Sequence, residues 1–268
     1  EMLEEILLRS KLTDEKRLGE ILDETMSRAR MRLENSSHSS AAMRAASYYS
    51  PLSSFYDRTG GIGFYQFLEK ITERCSKEEG YRLKLGKKLM EVAKTLFTAS
   101  NMTVSYTADE EGYGRLPAAL AAFKAVLPEG NGIRYPYEFK PELKNEGFRT
   151  ASQVNYVACC GTFGESAYTG ALKVLKVILN YEYLWVNLRV KGGAYGCMSS
   201  FGRNGETMLV SYRDPKLGET NRVYEGIPEY LRTFSIDDRD MTKYVIGAFS
   251  ELDAPLNPAA KGARNLGA

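Results

Sequence analysis

The residues of this chain best suited to chemistry lie between Arg189 and Gly196, in the order Arg-Val-Lys-Gly-Gly-Ala-Tyr-Gly. Arg189 and Tyr195 flank a pair of glycines, and both a guanidinium and a phenol can donate hydrogen bonds to a carbonyl oxygen or an oxyanion. Glycine also allows a sharp turn and the close approach of another chain. The residues alone leave two interpretations open, a plain connection from a helix to a strand and a site that binds a carbonyl group. The plain connection does not require Arg189 or Tyr195.

A second patch, Ser-Tyr-Arg-Asp-Pro at residues 211–215, follows a short apolar run. Asp214 and Pro215 suit the start of a helix, because proline is favoured in the first helical turn. Two roles remain open for Arg213: it could pair with a carboxylate to fix this corner, or it could contact a substrate.

Histidine and cysteine offer little further chemistry. The only histidine, His38, lies in a serine-rich segment and is expected at the surface. The cysteines, Cys75, Cys159, Cys160 and Cys197, form no Cys-x-x-Cys pair, and we expect buried free thiols in a reducing compartment such as the cytoplasm. The chain therefore cannot build a zinc site, a Ser-His-Asp triad or a Cys-His dyad from its own residues.

Length and composition indicate a globular protein. The 268 residues suffice for one large domain or two of ordinary size, and 43% are hydrophobic. A net charge of +2 is too small to favour nucleic acid or an anionic membrane as a partner. No apolar run approaches the roughly 18 to 20 residues that span a bilayer. We therefore expect neither nucleic acid nor membrane among the partners.

Hydrophobic periodicity predicts the elements that must position the two patches. In the first half it predicts a strand at residues 101–107, a loop at residues 128–146, and helices at residues 14–33, 41–49, 64–75, from Ser76 onward and at 116–127. In the second half it predicts a strand at 152–158, helices at 166–188, 217–234 and 238–250, and a hairpin of residues 196–201 and 208–212. The hairpin turn contains Asn204 and Gly205, a pair typical of tight turns. The last residues are expected to form no closing element.

The two patches together resemble the carboxy-terminal half of the pitrilysin or insulinase metallopeptidases, and within them the presequence-protease branch. The resemblance rests first on Leu-Trp-Val-Asn-Leu-Arg-Val-Lys-Gly-Gly-Ala-Tyr-Gly at residues 184–196, followed by residues 211–215. Residues 44–68 resemble the segment that enters the third domain of that family, and residues 152–157 resemble the strand that opens the fourth. Lys261 and Gly262 also fit, so the resemblance covers most of the chain.

The resemblance implies an α+β fold with two similar domains, each a mostly antiparallel sheet with helices packed on one face. Residues 1–146 would be a helical linker and the third domain of a longer peptidase. Residues 147–268 would be the fourth domain, truncated at its carboxy terminus. In that family two homologous halves enclose a chamber, so the expected partners are the amino-terminal half of the same peptidase and a peptide substrate.

The resemblance also assigns roles to residues of the first patch. Tyr195 would stabilise the oxyanion of the tetrahedral intermediate, and Arg189 would hold the substrate backbone. The further residues expected to bind substrate are Gly192, Gly193, Ala194 and Arg213. No residue of this chain would bind metal. The zinc ion would be held by an inverted His-x-x-Glu-His motif in the amino-terminal half, so this chain alone is predicted to be inactive.

Two alternatives remain. The chain could be a non-catalytic relative that acts as a scaffold, or it could be the partner subunit of a two-chain peptidase whose zinc site lies on a separate polypeptide.

Overall fold

Helices dominate the structure, a computed structural model that describes residues 2–130, 132 and 136–266. In chain order the elements are α1 (Met2–Arg9), α2 (Glu15–Asn35), α3 (Ser37–Ala46), α4 (Pro51–Gly60), α5 (Ile62–Lys77), α6 (Tyr81–Leu96), α7 (Glu110–Val126), β1 (Ala158–Thr162), α8 (Ala171–Ile178), a π-helix (Leu179–Val190), β2 (Gly196–Phe201), β3 (Glu206–Tyr212), α9 (Leu217–Glu225), α10 (Ile227–Thr233), α11 (Asp238–Leu252) and α12 (Pro258–Leu266). None of the described helices is both long and apolar enough to cross a membrane.

The chain divides into two units that each combine segments distant in sequence. Unit 1 comprises Glu1–Thr25, Lys70–Tyr137 and Ala254–Ala268, and unit 2 comprises Met26–Glu69 and Glu138–Asp253. The division between domains at residues 146 and 147, which the family resemblance implies, stays a prediction.

The described residues of unit 1 form helices and turns but no strand. A 3-10 turn at Ala99–Asn101 and irregular backbone after it replace the predicted strand at residues 101–107, so that prediction is wrong. Alternating side chains favour a strand only where a second extended segment lies alongside, and no described residue of this unit supplies one. The loop beyond α7 instead bonds to the turn, since Ala99 N–H donates to Pro128 O at 2.7 Å.

The end of the chain is more ordered than its sequence suggests. The helix α12 forms at a position where the sequence predicts no closing element. The side chain of Asn257 caps it, because its Oδ1 accepts a hydrogen bond from Ala260 N–H at 2.8 Å.

Unit 2 contains the sheet, whose strands are antiparallel in the order β1-β3-β2. The predicted hairpin is confirmed, with Gly205 at φ +76° in the turn between β2 and β3. The strand predicted at residues 152–158 begins later, at Ala158, and Asn155 forms only an isolated bridge to Asp214. The described part of the chain therefore has one sheet rather than one in each domain, and the prediction of an α+β fold is confirmed.

Two of the long predicted helices are divided. The segment 166–188 becomes α8 followed by the π-helix, and the segment 217–234 becomes α9 and α10. Pro228 lies in the first turn of α10, where its missing N–H costs no helical hydrogen bond. The core of unit 2 lies between these helices and the sheet, and its buried members are Val157, Leu179, Leu184, Leu188, Ala194, Tyr224 and Ile227.

A buried ion pair joins α3 to α4 in unit 2. Arg44 Nη1 lies 2.8 Å from Asp57 Oδ2, and Asp57 is 2% exposed. Arg44 Nε also donates to Glu146 Oε2 at 2.8 Å, and the Tyr48 hydroxyl donates to the same carboxylate. The hydrogen bond from Arg44 is the main reason that the pKa of Glu146 falls to about 2. Glu146 thus fastens the segment after the predicted loop to α3.

The cysteines are free thiols, but their burial differs from the expectation. Cys159 is exposed, and the other three are half-buried. Burial raises the pKa of Cys160 to about 12 and that of Cys197 to about 11. These two thiols therefore stay protonated at neutral pH, as structural cysteines do.

Candidate functional site

The π-helix brings Arg189 to the start of the glycine turn. Its hydrogen bonds run from residue i+5 to residue i, as in the 3.0 Å bond from Lys191 N–H to Val186 O. Leu179, Leu184 and Leu188 are buried along it at spacings of five and four residues, which matches this wider turn. Arg189 follows the last of these leucines, so its backbone is anchored to the core of unit 2.

Both glycines after Arg189 are required by the backbone of the turn. A Cβ atom on Gly192 would overlap the carbonyl oxygen of Leu188, and Gly193 has φ +84°. Ala194 is 3% exposed and packs into the core, while its N–H donates to Leu188 O at 2.9 Å. Of the residues predicted to bind substrate, Ala194 therefore offers no side chain to the surface.

We expect the variant Gly192→Ala to lower the free energy of unfolding by about 1–3 kcal/mol, because the new methyl group must displace backbone. Denaturant unfolding of the full chain measures this loss. Gly170→Ala is the matched control, since a Cβ atom there meets nothing within 4 Å and Gly170 has φ −58°. Equal stabilities for the two variants would contradict the close packing of Gly192.

Tyr195 leaves the turn with its backbone fixed and its side chain in the open. Its N–H donates to Tyr212 O at 3.0 Å, and its ring meets the Tyr212 ring edge-on at 5.8 Å. The residue is 62% exposed. Among the residues that the structure describes, none accepts a hydrogen bond from its hydroxyl group. The phenol can therefore donate to an incoming oxygen.

The structure brings Arg189 and Tyr195 into direct contact. Arg189 Nη1 donates to Tyr195 O at 2.5 Å. The guanidinium carbon lies 5.4 Å from the Tyr195 ring centroid and 4.2 Å from that of Trp185. A guanidinium has five N–H donors, so most of them remain available to a ligand.

Arg213 lies beside the same rings. Its guanidinium carbon is 5.9 Å from the Tyr195 centroid and 5.5 Å from the Tyr212 centroid. Its φ of +49° is in the left-handed region, which is uncommon for residues other than glycine. Arg213 is exposed, so the structure brings both predicted arginines to the ring of one tyrosine.

Asp214, rather than Arg213, fixes the corner after β3. Asp214 is 1% exposed, and its carboxylate accepts hydrogen bonds from Lys216 N–H at 2.8 Å and from the Thr220 hydroxyl at 2.6 Å. Asn155 and Asp214 also exchange two backbone hydrogen bonds, at 2.7 and 2.9 Å. Asp214 is therefore a structural residue that orients the backbone beneath Arg213.

Three neighbours of this site are not identified by the sequence patterns. Trp185 and Tyr212 contact the two arginines, and the ring of His38 meets the ring of Tyr212 edge-on at 5.0 Å. His38 is half-buried, so its predicted surface position is wrong. An aromatic residue four positions before an arginine in a helical pattern is a signal that could have identified Trp185.

The residue types of the site do not suit a metal ion. The described residues contain no group of three or more histidine, cysteine, aspartate or glutamate side chains that could hold one. The arginines and tyrosines that converge here are donors of hydrogen bonds, and they fit a carbonyl or carboxylate ligand rather than a zinc ion.

Comparison with known proteins gives two family matches and a set of curated relatives. The family model described as PreP C-terminal domain matches residues 145–266, and a model for the region associated with peptidases of family M16, subfamily C, matches residues 1–71. Protein HypA of Clostridium perfringens is 34% identical over 98% of this chain and 27% of its own length. Presequence protease 1 of Arabidopsis thaliana is 29% identical over 97% of this chain and 24% of its own length. The mitochondrial presequence protease of Danio rerio is 24% identical over 93% and 26%.

The two family models together define the class, which is the carboxy-terminal region of an M16-type peptidase. Within that class, the chain belongs to the presequence-protease family. It spans about a quarter of the length of the curated relatives that it matches.

Proposed function

We propose that this chain is the part of a zinc-dependent endopeptidase that holds the substrate and stabilises developing charge. The observation that supports the proposal most strongly is the pairing of Arg189 with Tyr195. The guanidinium is hydrogen-bonded to the Tyr195 carbonyl, and the exposed phenol has no acceptor among the described residues. Both groups can therefore donate to the same bound peptide.

In this proposal the two residues act on different oxygens of the peptide. The Tyr195 hydroxyl donates to the oxygen of the scissile carbonyl as it becomes negatively charged. Arg189 donates to a neighbouring carbonyl and holds the peptide backbone. Such donors contribute most when they are fixed before the reaction, because no free energy is then spent on reorienting them. Arg213, which also lies beside the Tyr195 ring, adds a second positive charge near the developing anion.

The metal would come from outside this chain. Its residues do not form a metal site where the structure describes them, so zinc would be bound by the amino-terminal half of the longer protein. That half is the proposed partner, and short unfolded peptides enclosed between the halves are the proposed substrates. The relatives that carry the name presequence protease support this substrate class.

Peptide binding by the full chain tests the proposal without the missing half. We expect Arg189→Ala to weaken the binding of an unstructured, tryptophan-free peptide by about 10- to 150-fold, because charge-assisted hydrogen bonds contribute ~1.5–3 kcal/mol. Isothermal titration calorimetry measures the affinity. Arg232→Ala is the control, since Arg232 is exposed and pairs with the equally exposed Glu229 on α10. Equal affinities for both variants would contradict the proposed role of Arg189.

A further inference from the structure

We infer that Trp185 is a positioning residue that holds the Arg189 guanidinium in the orientation needed to bind peptide. The inference rests on the proposed function and adds a residue to it. Trp185 is the only tryptophan of the chain, and it lies one turn before Arg189 on the π-helix. It contacts the guanidinium and lies outside the buried core.

The geometry leaves the guanidinium little freedom. Its carbon lies 4.2 Å from the Trp185 centroid, a distance typical of a guanidinium that stacks on an aromatic ring. The Tyr195 ring lies 5.4 Å away, and the Tyr195 carbonyl accepts one of the N–H groups at 2.5 Å. Two rings and one hydrogen bond together restrain both the plane of the guanidinium and its rotation within that plane.

Restraint of this kind favours binding through entropy. An arginine side chain has many rotamers, and ordering it on binding weakens affinity. Because Trp185 and Tyr195 already order Arg189 in the free chain, a peptide meets donors that are in place. Tryptophan is also the aromatic side chain that attracts a cation most strongly, so a smaller or aliphatic residue would hold Arg189 less well.

Packing does not account for Trp185. The residue is 40% exposed, and the adjacent buried positions are filled by Leu184 and Leu188. Its ring stacks on the cation of Arg189 rather than on another ring in the described part of the chain. A substitution at this position should therefore leave the fold intact while loosening Arg189.

The test measures the affinity of the full chain for the same unstructured peptide, with Trp185→Leu and Trp185→Phe compared in two backgrounds. In the natural background we expect Trp185→Leu to weaken binding by about 3- to 10-fold, and Trp185→Phe to recover most of that loss. In the Arg189→Ala background we expect Trp185→Leu to have no further effect, because there is no guanidinium left to hold. Circular dichroism and thermal unfolding should show that each variant remains folded.

The outcomes separate this inference from the proposed function. If Arg189→Ala weakens binding and Trp185→Leu does not, the inference alone is wrong. If Trp185→Leu weakens binding equally in both backgrounds, Trp185 contacts the peptide itself and the positioning role is wrong. If Arg189→Ala leaves affinity unchanged, the proposed function fails and the positioning role fails with it. In the natural chain, quenching or a shift of the Trp185 emission on peptide addition would support the inference, and an unchanged emission at saturation would contradict it.

Discussion

We expect Tyr195→Phe to lower kcat/KM for peptide hydrolysis by about 100- to 1,000-fold in the longer peptidase that we propose contains this chain. The substitution removes only the hydroxyl oxygen, and the phenylalanine ring can keep the edge-on contact with Tyr212. The loss should appear mainly in kcat, because the hydroxyl is proposed to bind the charge that develops in the transition state. Initial rates with an unstructured fluorogenic peptide measure both constants.

Tyr181→Phe is the matched control for this measurement. Tyr181 lies on the same π-helix and is as exposed as Tyr195, but it contacts neither Arg189 nor Arg213 in the described structure. Its variant should keep the natural rate. A loss of less than threefold for Tyr195→Phe would show that this hydroxyl does not stabilise the oxyanion.

Removing the Arg44 guanidinium should have the largest effect on stability. We expect Arg44→Met to lower the free energy of unfolding by about 3–5 kcal/mol, because it leaves the buried Asp57 carboxylate without its ion-pair partner. Glu146 loses the same partner, so its pKa should rise from about 2 towards its ordinary value. Denaturant unfolding at neutral pH measures the free energy, and NMR titration of the Glu146 side chain measures the pKa.

The control for Arg44 is an exposed ion pair in the same unit. Arg232 and Glu229 lie 2.9 Å apart on the surface of α10, and exposed pairs contribute about 0–1 kcal/mol. Arg232→Met should therefore change stability by less than that. If Arg44→Met were no more destabilising than Arg232→Met, the buried cluster would not hold α3, α4 and Glu146 together.

Local signals in the sequence are sufficient to predict the hairpin. Asn204 and Gly205 between two extended segments predict the turn, and Gly205 indeed has the positive φ that such a turn needs. The glycine pair after Arg189 predicts a turn for the same reason, and Gly193 also has a positive φ. Backbone conformations that only glycine adopts easily can be predicted without knowledge of the rest of the fold.

Features that depend on distant contacts cannot be predicted in this way. The strand expected at residues 101–107 has suitable alternation but gains no pairing partner among the described residues. The sequence pattern predicts an α-helix where the π-helix forms, although the buried positions Leu179, Leu184 and Leu188 carry the wider spacing. The approach of Tyr212, Arg213 and His38 to Tyr195 depends on how β3 pairs with β2 and on what packs against it.

The chain is proposed to supply part of an active site whose metal lies elsewhere. Mixing the purified chain with the amino-terminal part of its longer protein, and measuring peptide hydrolysis with zinc present, tests that claim most directly. We expect no hydrolysis by this chain alone, hydrolysis by the mixture, and a rate about 100- to 1,000-fold lower when the chain carries Tyr195→Phe. Hydrolysis by the chain alone in the presence of a chelator, or a mixture whose rate is the same with Tyr195→Phe, would contradict it.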